Sequence, residues 1–327
     1  MRQLAIMTII SNCTPSALKD AAASLVAGNL VSFPTETVYG LGADASNQQA
    51  VARIYEVKGR PTDHPLIVHI SSINYLDKWA EDIPDYAIEL ARVFWPGPMT
   101  LILPRTDLAK DFITGGQNNV GIRVPAHTTA LSLLREFEAK GGIGVAAPSA
   151  NRFGKVSPTN SQAVYDELGK YLSKSDQILD GGQSKVGIES TIIDCTESMP
   201  VILRPGYITT EMVENLGLIK IRQLNGASTR VKSPGLLEAH YAPNAQVKLN
   251  GVAQPGDGFI ALAHVQTPTG AIRLASPKNE NEYAYLLYGA LRLADTKGIK
   301  VVQVIPPVAK GLGVAIINRL VKASYHI

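Results

Sequence analysis

The chain has two cysteines in 327 residues, Cys13 and Cys195, and no C-x-x-C spacing. That argues against a disulfide framework and a structural zinc site, and fits a reducing cytoplasm. Long hydrophobic runs are also missing: nothing approaches the roughly 18 apolar residues that a membrane span needs. Aromatic residues are only 6% of the chain, few for a surface on which single-stranded nucleic acid stacks. A formal charge of +3 admits anionic ligands without the strong basicity of a dedicated nucleic-acid binder. The opening "MRQLAIMTIISNCTP" has a brief apolar run with no small residues leading into Cys13. It is expected to be an N-terminal strand, not a signal peptide. No Ser-His-Asp spacing, G-x-S-x-G elbow or HExxH is present, so covalent and zinc-dependent hydrolysis have no support.

At this length two domains are expected. Thr14 as N-cap, Pro15 at the first helical position and Gly28 as terminator delimit a first helix. "LVSF" reads as the next strand and "VYGLGADA" as a turn. Ser46 and Gln49 form a capping-box pattern for a helix ending at Lys58-Gly59, before Pro61. Strands are expected at "PLIVHI", "TLILP", "VGIRVP", "IGVAAP", "STIIDC" and "VILRPG", with helices around 85–94, 127–140 and 160–168. This alternation points to an α/β sheet. From Gly217 to Ala245 the periodicity fades into a segment with scattered Gly and Pro, long enough to be functional or a linker. The remainder reads β-β-β-α-β-α, a small Rossmann-like unit.

"GLGADA" matches G-x-G-x-x-A, but the following helix starts too late for a dinucleotide fingerprint, and a tight turn is the simpler reading. "GGQSKVGIEST" continues with Ile188-Glu189 where a Walker A loop needs Lys-Ser or Lys-Thr. Its backbone amides could still face an anion. Lys58 and Arg60, at a helix end, could merely complement the helix dipole. Arg123 in "GIRVP" and Arg204 in "ILRPG" shift the balance, because an unpaired guanidinium inside an apolar strand is costly. Cations at several strand and helix ends suggest a cleft for a polyanion or carboxylate, with structural ion pairs as the competing account. His69 suits a core hydrogen bond as well as a ligand contact. Ser149 and Asn151 in "APSAN" have short donors and acceptors suited to a base or phosphate, or to a turn.

In order, "SFPTETVYGLGADA", "IYEVKGRP", "PLIVHI", "WPGPMTLIL", "GIRVP", "APSAN", "STIID" and "LRPG" resemble the YrdC-type L-threonylcarbamoyladenylate synthases. "SPGLLEAHYAPNA" and "GLGVAIINRL" resemble the linker and C-terminal domain of the longer, two-domain form. The resemblance implies a twisted mixed α/β catalytic domain over 1–216, a linker or lid over 217–245, and a smaller Rossmann-like α/β domain over 246–327. It implies synthesis of threonylcarbamoyl-AMP from L-threonine, bicarbonate or CO2, and ATP with Mg2+, releasing pyrophosphate. The product would serve separate transferase proteins that modify tRNAs reading ANN codons; a weak contact with tRNA itself is left open.

Carried over by position, Thr35, His69, Arg123, Ala147 and Ser190 match threonine contacts. Lys58, Arg60, His64, Asn119, Ser149, Asn151, Ser157 and Arg204 fall on the ATP side, with Ser233, His240 and Tyr241 in the closing linker. Lys58, Arg60 and Arg204 would stabilise phosphate charge, and Mg2+ would ride on the phosphates without an assigned protein ligand. Glu36 would orient these groups or pair with Lys58. His64 stands where the family pattern has asparagine, and the linker lacks the Met-Lys-Tyr expected after Pro-Gly. An RNA-binding module and a carbamoyltransferase using carbamoyl phosphate are the rival readings.

Overall fold

The computed structural model describes residues 10–217, 220–222, 231 and 240–325. Ten short strands form the first sheet: β1 Ile10–Asn12, β2 Val31–Phe33, β3 Gly40–Asp44, β4 Ile67–His69 and β5 Met99–Pro104 come first. β6 Asn119–Arg123, β7 Val145–Ala146, β8 Gln177–Asp180, β9 Thr191–Asp194 and β10 Val201–Arg204 complete it. Their order is β1-β8-β2-β3-β7-β4-β6-β5-β9-β10. Parallel pairs such as β4–β6 alternate with antiparallel ones such as β5–β6, so the sheet is mixed.

Helices cover both faces because successive strand residues point to opposite sides. Val145 and Ala147 join the cluster under the helices Pro15–Val26 and Thr128–Glu138. Ala146, between them, joins the core under the helices Gln48–Lys58 and Asp85–Phe94.

A second, four-stranded sheet consists of β11 Gln246–Leu249, β12 Gly258–Ile260, β13 Ile272–Ala275 and β14 Val301–Val304. All its pairs are parallel, in the order β11-β14-β12-β13. The helices Glu280–Thr296 and Leu312–Ser324 pack on it through Leu287, Leu291, Ile316 and Leu320. This is the Rossmann-like unit that the sequence pattern predicts. No helix among the described residues is long and apolar enough to cross a membrane.

Two local expectations are corrected, and one strand was missed. "GLGADA" is not a tight turn: Gly40–Asp44 is a strand antiparallel to β2. A Cβ on Gly42 would sit 2.7 Å from the Phe33 ring and 2.8 Å from Val145, so the glycine permits close packing instead of a reversal. The Ser46/Gln49 capping box does not form. Asn47 caps the helix, its Oδ1 accepting from the amides of Gln49 and Ala50, while Ser46 Oγ donates to Asp44. β8, "QILD", was not anticipated from the sequence; it lies between β1 and β2.

Candidate active site

Several element ends open on one cleft. β4 stops at His69, β6 at Arg123 and β10 at Arg204. The helix Gln48–Lys58 ends at Lys58, where Gly59 takes the left-handed cap. β4 and β6 run parallel with His69 opposite Arg123, so their carboxyl ends meet at the cleft, as in other open α/β sheets. The cleft encloses about 680 Å3 not filled by protein atoms, part of it open to solvent. Among the described residues, four cations, Lys58, Arg60, Arg123 and Arg204, and one carboxylate, Glu189, line it.

Each cation is held by the protein. Lys58 Nζ donates to the carbonyls of Ser149 at 2.6 Å and Asn151 at 2.5 Å. An ammonium has three donors, so one remains. Burial, reinforced by Arg60, holds the Lys58 pKa well below its usual value. Arg60 donates to the carbonyl of Pro65 at 2.9 Å and lies 5.7 Å from the Phe153 ring centre. Burial, with Arg204 nearby, lowers its pKa to about 10. Arg204 donates through Nε to the Ser190 carbonyl at 3.0 Å and through Nη2 to Ser190 Oγ at 3.1 Å. Desolvated cations that also repel one another make a site in which an anion is favoured.

Glu36 does not pair with Lys58. Its Oε1 accepts from Arg123 Nη2 at 2.6 Å, and its Oε2 accepts from the Ala126 amide at 2.9 Å. Arg123 also donates through Nε to the Gly97 carbonyl at 3.3 Å. Two of the five guanidinium donors are thus committed, and Nη1 keeps both of its own without a partner among the described residues.

The uncharged candidates differ more from expectation. Thr35 Oγ1 donates to the Val38 carbonyl at 2.6 Å, accepts from the amides of Thr37 and Val38, and meets Thr37 Oγ1. Its hydroxyl therefore shapes its own loop. Ser190 Oγ lies between Thr100 Oγ1 and Arg204. His69 is buried, burial and Arg123 lower its pKa to about 3, and its Nδ1 has no hydrogen-bond partner among the described residues. Ala147 lines the cleft beside Pro148 and Ser149, its amide donating to the Ile67 carbonyl. No serine or cysteine that lines the cleft is hydrogen-bonded to a histidine among the described residues.

His240 and Tyr241 also line the cleft, with ring centroids 4.0 Å apart. Burial lowers the His240 pKa to about 3. Four expected residues do not line it. Asn119 begins β6, four residues from Arg123, or roughly 13 Å along a strand. Asn151 turns its side-chain amide nitrogen to the carbonyls of Arg152 and Lys155, and it is its backbone carbonyl that accepts from Lys58. Ser157 Oγ donates to Glu189 Oε1 at 2.6 Å. His64 packs edge-on against Phe153 at 5.3 Å, one residue removed from the cleft wall. Ser233 lies outside the described residues.

Conversely, Phe153, Thr37 and Glu189 line the cleft without having been singled out. Their signal was adjacency: Phe153 follows "APSAN", Thr37 stands in "TET" and Glu189 precedes Ser190.

Comparison with known proteins gives concordant results. A family model of Sua5, YciO and YrdC proteins, described as telomere recombination, matches residues 23–206. A second, described as the threonylcarbamoyl-AMP synthase C-terminal domain, matches residues 208–324. The chain is 41% identical to a threonylcarbamoyl-AMP synthase of Pyrococcus abyssi over 97% of its own length and 98% of the relative's. It is 38% identical to one of Bacillus subtilis, over 94% and 92%. The crystal structure of Pyrococcus abyssi Sua5 complexed with L-threonine superposes with a TM-score of 0.86 at 39% identity, covering 97% of both chains.

Proposed function

The chain belongs to the Sua5/YciO/YrdC family, in the form that carries a threonylcarbamoyl-AMP synthase C-terminal domain, and from that membership we propose how its cleft works. The activity is L-threonylcarbamoyladenylate synthesis from L-threonine, bicarbonate or CO2, and ATP, and the product is the donor for threonylcarbamoyl-adenosine in tRNA. The observation that carries the reading is the convergence of Lys58, Arg60, Arg123 and Arg204 on one cleft with His69, with no activated protein nucleophile among the described residues.

The substrates supply the nucleophile. The threonine amine adds to CO2, losing a proton, to give a carbamate. A carbamate oxygen then attacks the α-phosphorus of ATP, and the bond to the β,γ-bridged pyrophosphate breaks. This is a nucleotidyl transfer, in which positioning and charge neutralisation carry most of the catalysis.

Arg123 takes the threonine carboxylate end-on, through Nη1 and the second hydrogen of Nη2, because Nε and the other Nη2 hydrogen are committed. Glu36 holds that guanidinium in place. Neutral His69 offers Nδ1 to the threonine hydroxyl or amine, and Thr35, Ala147 and Ser190 form the surrounding wall. Lys58, Arg60 and Arg204 face the phosphates, while Phe153, His240 and Tyr241 give a surface for the nucleotide beside Ser149. Glu189 is already engaged by three protein donors, so Mg2+ would be held mainly by phosphate oxygens and water. There it neutralises phosphate charge. In this reading residues 1–216 form the catalytic domain, 217–245 the cover and 246–327 the C-terminal domain. The product then passes to a separate tRNA-modifying transferase.

Pyrophosphate release from ATP, Mg2+ and bicarbonate should require threonine and should fall sharply with valine, since a site that hydrogen-bonds an OH rejects the analogue lacking it. Equal release with valine, or without any amino acid, overturns the reading. Arg123→Ala should weaken threonine binding by about 1.5–3 kcal/mol, the worth of a charge-assisted hydrogen bond. Calorimetry should be run cold, because the substitution also strands the buried Glu36 carboxylate. Unchanged threonine affinity would remove Arg123 from the carboxylate site.

A further inference from the structure

We infer that Arg319, on the last helix of the C-terminal domain, is a positioning residue for the cleft, acting through Glu189. The inference rests on the assignment of the cleft made above and gives the C-terminal domain a role beyond holding a cover.

Three donors converge on the Glu189 carboxylate. Oε1 accepts from Ser157 Oγ at 2.6 Å, and Oε2 accepts from Tyr288 OH and from Arg319 Nε, both at 2.8 Å. Ser157 belongs to the first domain, Tyr288 and Arg319 to the two helices of the second. Arg319 has no solvent exposure. Burial alone would raise the Glu189 pKa, but Arg319 and Arg204 bring it to about 2. The carboxylate is therefore a permanent anion fixed at the domain junction. The next residue is Ser190, whose carbonyl and hydroxyl both receive Arg204. Fixing Glu189 fixes the peptide that presents Ser190 and aims Arg204.

The backbone shows the same coupling independently of charge. The amides of Val186 and Gly187 donate to the carbonyls of Glu36 and Thr37, joining this strap to the loop of Thr35. Gly187 has φ 84° and lies so close to the C-terminal domain that a Cβ would meet the Ala284 carbonyl at 2.4 Å. Ile188 is buried in the core of the second domain. Val38, beside Thr37, and Val156, beside Ser157, enter that same core. The segments that supply the cleft wall are thus anchored one residue away in the other domain, which is the support a precisely placed site requires. Stability alone does not account for the ion pair, since buried pairs are often replaced by apolar residues without loss.

The test uses the full chain and pyrophosphate release, with threonine varied at saturating ATP and then ATP varied at saturating threonine. Arg319→Met should raise the threonine KM about tenfold, the scale on which displacing a positioned group costs. The ATP KM should rise as well, because Glu189 aims Arg204 through Ser190 and Arg319 lies 5.3 Å from the centre of the Tyr241 ring. Arg319→Lys should recover part of the loss, and Tyr288→Phe should show a smaller loss of the same kind. Tyr283→Phe is the control: Tyr283 is buried on the same helix as Tyr288, but its hydroxyl donates to the Ile305 carbonyl at 3.1 Å. It should lower the melting temperature without moving the threonine KM. If Arg319→Met does not fold, Tyr288→Phe decides. Threonine KM values unchanged in Arg319→Met and Tyr288→Phe, or raised equally in Tyr283→Phe, overturn the inference. If the parent chain itself shows no threonine dependence, the functional reading has failed and takes the inference with it.

Discussion

Replacing Lys58 by methionine is expected to lower threonine-dependent pyrophosphate release by about 10²–10³-fold, the cost of removing one preorganised donor from developing negative charge. Lys58 is 2% exposed, and its ammonium is clamped by the Ser149 and Asn151 carbonyls. It therefore arrives at the reacting phosphate without reorganising, in surroundings of low dielectric where a charge acts strongly. Methionine has nearly the same length and volume, so the helix end should keep its packing. Two stability effects oppose each other. The variant escapes the desolvation that depresses the Lys58 pKa, but it leaves two carbonyls without their donor. The melting temperature should consequently move little while turnover collapses. Turnover within about fivefold of the parent would show that Lys58 serves the loop Ser149–Asn151 and not the chemistry.

Acid should unfold the protein through two buried histidines. Burial lowers His69 and His240 to about 3 from a usual value of about 6.5. For His69, Arg123 pushes in the same direction. Around His240, Arg60, Lys58 and Arg204 lower the pKa and Glu189 opposes them. Between those values the unfolded chain binds both protons and the folded chain neither. Unfolding free energy then rises with pH, by about 1.4 kcal/mol per unit for each histidine. This stability is fully present above pH 6.5 or so and is lost as the pH falls toward 3. His127, half-buried and shifted the same way, adds a smaller share. Below about 4.5, Glu189 contributes in turn as its carboxylate is protonated. Urea midpoints measured from pH 7 to 4.5 should show the slope, and His69→Gln or His240→Gln should each remove close to half of it. A midpoint independent of pH over that range would mean the two imidazoles are not buried neutral.

Much of the site could be read along the chain. Lys58 announces itself by a helix end with Gly59 and Pro61, and Arg123 and Arg204 by guanidinium groups closing apolar strands. Those signals are local, carried by capping chemistry and by the cost of burying charge. The same local logic located the helices Asp85–Phe94, Thr128–Glu138 and Ser161–Leu168 and the Rossmann-like unit. It misjudged "GLGADA", because whether two glycines make a turn or a tightly packed strand depends on Phe33 and Val145 across the sheet.

What each charged group pairs with was decided by the tertiary structure alone. Glu36 meets Arg123 across 87 positions and Glu189 meets Arg319 across 130. Thr35 turns its hydroxyl into its own loop, and Asn119 stands at the far end of the strand that carries Arg123. The sequence by itself determined where this protein places buried positive charge, since an arginine in an apolar strand is costly wherever that strand lies. Only the fold determined which carboxylates steady that charge and which domain supplies them, because pairing depends on strand order and domain packing that no neighbouring residue encodes.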